Sequence, residues 1–147
     1  MIKHIGETSV VNTPKSFKPM VNLTVRAIDV DPGCTATSPR PAENGHFVVL
    51  TIDLEAAPGL LEDGDKKWGM YSTGWKIIAA NGTTQNGRPQ TTSSILCLDD
   101  VEELPNEIGP GEKATGKVVL DVSSPSGTVV YSDPGWPSGL EWEYPAK

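Results

Sequence analysis

The run His46-Phe47-Val48-Val49-Leu50-Thr51-Ile52-Asp53-Leu54-Glu55 keeps a two-residue period along its length. Successive side chains of an extended chain point to opposite faces. Val48, Leu50, Ile52 and Leu54 therefore share one face, and Val49, Thr51 and Asp53 the other. No helical period fits the stretch. Both faces carry apolar residues, which places this strand in the middle of a sheet and covers it on both sides.

The same period recurs on either side. Val21, Leu23 and Val25 alternate with Asn22 and Thr24, the phase slips at Ala27-Ile28, and Ile28 and Val30 carry it on. A slip of one residue inside a strand predicts a β-bulge. Pro32-Gly33-Cys34 ends that strand, and residues 34–45 read as a loop. Downstream, residues 58–70 are a glycine-rich connection, and residues 71–80 form a strand with Trp75, Ile77 and Ala79 on one side. Asn81-Gly82 is a tight-turn signal. Residues 83–94 are polar, with little to anchor them, and read as mobile. Residues 95–98 are short and apolar. Residues 99–104 suit one helical turn, capped by Asp99 or Asp100 and stopped by Pro105. Residues 114–122 alternate again with Val118, Leu120 and Val122 inward. After Gly127, residues 128–131 and then Leu140, Trp142 and Tyr144 complete the set.

Short strands separated by turn residues predict an all-β protein. The architecture is an antiparallel β-sandwich of about seven to eight strands with at most one short helical turn. A closed barrel is the rival arrangement. Residues 20–147 form the sandwich, preceded by an N-terminal segment, residues 1–19, able to serve as an edge strand.

Composition excludes several function classes. The chain has 147 residues, 37% hydrophobic and 21% charged, a globular balance for one domain. Its net charge is −7 with no stripe of Lys and Arg, so phosphate backbones and anionic membranes are disfavoured partners. No apolar run reaches the roughly 20 residues of a membrane span. Residues 1–17 hold no signal-peptide core. The chain is then either cytosolic or a mature fragment with a start Met, and strand sequence beginning almost at once favours the fragment.

Cys34 and Cys97 admit two readings: a pair of buried thiols, or one disulfide, which persists only in an oxidising compartment. The disulfide is the reading adopted. Neither cysteine sits in a Cys-x-x-Cys or His-rich context, so redox catalysis and zinc are not expected.

The C-terminal third carries a further pattern. Ile108-Gly109-Pro110-Gly111-Glu112-Lys113 leads into Gly116-Lys117-Val118-Val119-Leu120-Asp121-Val122, with Val130-Tyr131 in the following strand. Gly45-His46-Phe47-Val48-Val49-Leu50 precedes it, and Trp136 and Glu141-Trp142-Glu143-Tyr144 end it. This pattern resembles an actinobacterial family of secreted and lipid-anchored proteins of unknown function, the family similar to the mycobacterial immunoprotective extracellular protein. The resemblance covers roughly residues 20–144. It implies an immunoglobulin-like sandwich exported to the envelope or medium. No lipobox cysteine stands near the start, and the cysteine pair is not general to the family. The family has no agreed catalytic residues to carry over.

Candidate constellations are few. His4 and His46 are the only histidines, and no Gly-x-Ser-x-Gly elbow accompanies them. Asp99, Asp100, Glu102 and Glu103 lack the ligand spacing of a calcium loop and read as solvated surface. Asp29-Val30-Asp31 puts two carboxylates on one strand face. Trp75 and Trp142 read as core, whereas Trp68 and Trp136 sit in Gly/Pro-rich loops, where an exposed ring can stack on a sugar or peptide. No catalytic, cofactor or metal residues are assigned.

The function expected is a non-enzymatic binding domain at the cell envelope or outside the cell, with a protein or glycan partner. Its end loops, residues 35–44, 64–70, 83–94 and 133–139, would make the contacts. A carbohydrate-binding module of a larger secreted protein and an enzyme of unrecognised type are the alternatives.

Overall fold

A computed structural model describes residues 1–12, 18–58, 67–133, 136 and 138–145. Within these residues, eight strands form two four-stranded sheets. They are β1 (Ile2–Lys3), β2 (Thr8–Asn12), β3 (Pro19–Val30), β4 (His46–Ala56), β5 (Trp75–Ala79), β6 (Lys113–Val122), β7 (Gly127–Tyr131) and β8 (Leu140–Tyr144). One sheet has the order β1-β8-β7-β5 and the other β2-β3-β4-β6. All pairings are antiparallel except β1 with β8, which is parallel. The N-terminal residues thus supply an edge strand to each sheet.

The inward rows of the two sheets meet in one core. Leu23, Val25, Val48, Leu50, Ile52, Leu120 and Val122 come from one sheet; Ile77, Val129, Tyr131, Trp142 and Tyr144 come from the other. The phase slip is a bulge, with the β3–β4 register shifting between Val25 and Ala27. The Pro-Gly-Glu turn has a local cause. Gly111 takes φ +74°, which glycine adopts without a Cβ penalty, and the Glu112 carboxylate accepts the Gly109 N–H at 2.9 Å.

A second cluster explains why β4 is apolar on both faces. Phe47, Val49 and Val119 point away from the main core, and the loops carrying Cys34, Ala42, Cys97 and Leu98 cover them. Cys34 and Cys97 are bonded. The Thr35 and Ala36 N–H groups both donate to the Cys97 carbonyl, at 2.9 and 3.1 Å.

Three sequence readings change. Residues 83–94 are anchored. The Ala79 N–H donates to the Thr83 carbonyl, and Thr92–Ile95 form one helical turn, α1, closed by a reciprocal Thr91–Ser94 capping box. The turn expected within 99–104 is a 3-10 turn, Asp100–Glu102, whose Asp99 cap makes no side-chain bond; a second 3-10 turn is Ser72–Gly74. Asp29 and Asp31 do not share a strand face. Asp31 lies beyond the end of β3 at φ +49° and turns its carboxylate back onto His46 and Phe47.

Candidate functional site

Among the depressions of the described surface, two are lined by polar side chains. The first, of about 420 Å³, lies on the outer face of the β2-β3-β4-β6 sheet. Most of its charged and hydroxyl groups are spent on one another. Arg26 pairs with Asp53, Asp53 accepts the Thr115 hydroxyl at 2.8 Å, and Thr8 meets Thr24 at 3.0 Å. These are ordinary cross-strand pairs on a wet face.

The second, of about 390 Å³, lies where the rim strands β5 and β6 leave the sandwich open. Trp75, Val118 and Val119 contribute the strand edges. Residues 103–106 line it on one side, and Gln90, Ser94 and Ile95 on another.

Close backbone packing fixes the first of these linings. Leu104 N–H donates to the Lys117 carbonyl at 3.0 Å, and Trp68 and Ile108 exchange both backbone bonds, at 2.8 and 2.9 Å. Glycine is required at both contacts. A Cβ on Gly116 would stand 2.5 Å from Leu104 N, and one on Gly69 would stand 1.8 Å from the Asn106 carbonyl oxygen.

Asp121 fixes the second. It is fully buried, and its carboxylate accepts the Glu43 and Asn44 N–H groups, each at 2.8 Å, and the Thr91 hydroxyl at 2.7 Å. Its backbone is equally engaged. The N–H donates to Pro89, and the carbonyl accepts Asn44 and Gln85 side-chain amides. One residue therefore ties both disulfide-linked loops to β6.

Charge in this cleft is asymmetric. Lys117 pairs with Glu102 at 3.6 Å. The Thr35 hydroxyl, with help from Lys117, holds the Glu102 carboxyl below its ordinary value. Glu103 has no ion pair among the described residues, and burial, reinforced by Asp100, pushes its carboxyl up.

The two loop tryptophans lie elsewhere. Trp68 was expected to be exposed but is 8% exposed, and its Nε1–H donates to Asp133 at 3.3 Å. Trp136 is half-buried and meets Tyr131 edge-on at 5.8 Å. Tyr131 also packs on Trp75, accepts the Tyr71 N–H at 2.7 Å and donates its hydroxyl to Asp133. A buried indole N–H usually finds a partner, and for Trp68 it is Asp133. The rings serve the core, and Trp68 offers no open face. Parts of the loops around them, residues 64–66, 134–135 and 137, lie outside the described residues.

His46 receives an orienting partner, with its Nδ1 2.7 Å from Asp31. Burial opposes ionisation of Asp31, but the bonds to His46 and the Phe47 N–H outweigh it and hold the carboxyl below its usual range. No hydroxyl or thiol bonds the His46 ring among the described residues. No three His, Cys, Asp or Glu side chains among them are placed to hold a metal ion. No helix there is long and apolar enough to cross a membrane.

No protein-family model matches the sequence, and no curated protein matches it. Solved structures do match. The chain is similar to MPT63, a secreted protein of Mycobacterium tuberculosis, with a TM-score of 0.55 and 18% identity over 97% of this chain and 96% of that one. It is also similar to an uncharacterized β-sandwich protein of Clostridium difficile, with a TM-score of 0.52 and 12% identity over 97% and 93% of the two chains. At these identities the likeness is one of fold, and it accords with the sandwich the sequence predicts.

Proposed function

We propose that this chain is a non-enzymatic binding domain that works outside the cytoplasm, at the cell envelope or in the medium. The observation that carries the reading is the cleft between β5 and β6. Its sides are fixed by main-chain bonds, by a buried aspartate and by loops joined through a disulfide, while polar groups along it are left unspent. Preorganised, water-accessible polar groups on a rigid scaffold favour binding. The disulfide and the fold shared with a secreted protein support export. A carbohydrate module resting on Trp68 or Trp136 loses the first of these rings to burial, while Trp136 stands half-buried against Tyr131. A hydrolase built on His46 would need a hydroxyl or thiol bonded to its ring, and among the described residues the ring bonds Asp31 alone.

The test is a ligand panel followed by amide NMR on the oxidised protein. Peptides, cell-wall oligosaccharides and small organic acids are titrated, and product formation is monitored alongside. Saturable shifts clustered on residues 90–95, 103–106 and 117–119, without turnover, support the reading. Chemical conversion of any ligand, or no saturable site across the panel, overturns it.

A further inference from the structure

Strand β6 forms the rim of its sheet, and its outward backbone is only partly covered. The Ala56 N–H donates to the Glu112 carbonyl, which sets the ladder parity. Even-numbered residues of β6 bond to β4, and odd-numbered ones turn their N–H and C=O groups outward. Lys117 is covered by Leu104, and Asp121 by Pro89 and two side-chain amides. Val119 lies between them with the same parity, and its outward N–H and C=O have no partner among the described residues.

Residues 102–104 run beside β6 through a parallel Glu103–Lys117 bridge, with the Leu104 N–H on the Lys117 carbonyl. The next bonds in that register would join the Val119 N–H to the Leu104 carbonyl and the Asn106 N–H to the Val119 carbonyl, and neither forms. The chain then turns away, and Ile108 pairs with Trp68 instead. Between the covered residues Lys117 and Asp121, about 13 Å apart at roughly 3.3 Å per residue, Val119 is the outward-facing residue left unpaired; it is 7% exposed and reached from the cleft it lines.

We propose that the cleft binds an extended peptide segment bearing a lysine or arginine, which pairs its backbone with Val119 on the β6 edge and sets its cation against Glu103. The proposal rests on the binding-domain reading and specifies its ligand. Adding a strand to an open edge satisfies backbone donors and acceptors on both partners and gives affinity independent of sequence. The side-chain preference comes from charge. Glu103 lines the cleft unpaired, the nearby Lys117 is committed to Glu102, and the chain is net negative.

The probe is a phage-displayed library of random nine-residue peptides, selected against the oxidised protein. Selected peptides are then synthesised and measured by fluorescence polarisation and amide NMR. Val119→Pro removes the outward N–H and spares the β4 ladder, but it also trims a side chain packed among Phe47, Val49 and Leu98. A peptide N-methylated at single positions makes the same test on the unaltered protein. Enriched peptides should carry Lys or Arg, shift the Val119 amide, bind Val119→Pro at least tenfold more weakly and lose at least tenfold on one N-methylation. Glu103→Gln should weaken them at least threefold and flatten their salt dependence. Peptides without basic bias, or binding unchanged by both Val119→Pro and N-methylation, overturn the proposal while leaving a binding domain in place. Enrichment no greater than on an unrelated disulfide-bonded sandwich also overturns it. So does a dimer in sedimentation that Val119→Pro dissolves, since the occupant is then a second copy.

Discussion

Asp121 stands between Leu120 and Val122 in an alternating strand, where period alone puts it on the wet face. Burial comes from elsewhere: two loops distant in sequence fold over that face and point two N–H groups and a hydroxyl at its carboxylate. No spacing rule announces such a partner set, which is why this residue was illegible while Leu120 and Val122 were plain. Asp121→Ala leaves three donors without their acceptor, and each buried unsatisfied group costs about 1–3 kcal/mol. Urea unfolding should show a loss of at least about 3 kcal/mol; a loss below about 1 kcal/mol would mean water replaces the carboxylate. Asp133 gives the opposite pH sign to most carboxylates. Burial raises its pKa, although the Tyr131 and Trp68 bonds pull it down. Between the ordinary Asp value and the raised folded value, the native state holds a proton that the unfolded chain has released. This site's contribution to stability therefore falls as pH rises through that window, and is regained on acidification. Asp133→Asn cannot titrate. The stability of the native protein minus that of Asp133→Asn, measured from neutral pH toward pH 4, should become more positive as pH falls. A difference that shrinks would show the carboxylate to be favoured in its ionised form.

Strands with a strong period were readable at the level of elements. The course of β4, its central place, the bulge in β3 and the inward rows of β6 and β8 follow from apolar alternation alone. Segments held by side-chain-to-backbone bonds were not. Residues 83–94 have no period to read, yet Thr91, Ser94 and Gln85 fix them. The cleft was equally hidden, because it depends on where residues 102–105 lie against β6, and neither stretch refers to the other in sequence. Gly116 does leave a trace: a glycine inside a strand often marks close backbone approach. Its missing Cβ leaves room for Leu104. Gly116→Ala should force residues 103–105 away from β6, at a cost of about 1–3 kcal/mol for an overpacked contact. In hydrogen exchange, the Leu104 amide, which donates to the Lys117 carbonyl, should lose most of its protection while core amides of β4 keep theirs. Unchanged protection at Leu104 would show that the segment absorbs a methyl without moving.

The molecule as a whole has two cores of unequal size, and the disulfide belongs to the smaller. The main core joins the sheets through large side chains such as Leu50, Trp142 and Tyr131 and does not depend on the bond. The satellite core of Phe47, Val49, Leu98 and Val119 is roofed by loops that the bond joins across 63 positions of sequence. Two effects follow, and they are separable. Closing a loop of that length restricts the unfolded chain, worth roughly 4 kcal/mol in the chain-entropy model. The bond also holds the roof down in the native state, over the face where Asp121 collects its donors. Replacing both Cys34 and Cys97 by alanine should lower the unfolding free energy by roughly 4 kcal/mol while leaving the near-ultraviolet signal of the buried tryptophans intact. If the bond acts only on the unfolded chain, limited proteolysis of the native variant will cut no faster in residues 34–44 than in the parent. If it also holds the roof, those residues become the first cleavage site and the exchange protection of the Asn44 amide falls with them. A double variant as stable as the parent, and equally resistant in residues 34–44, would mean that packing of Leu98 and Ala42 alone secures the loops and that the bond is dispensable to the fold.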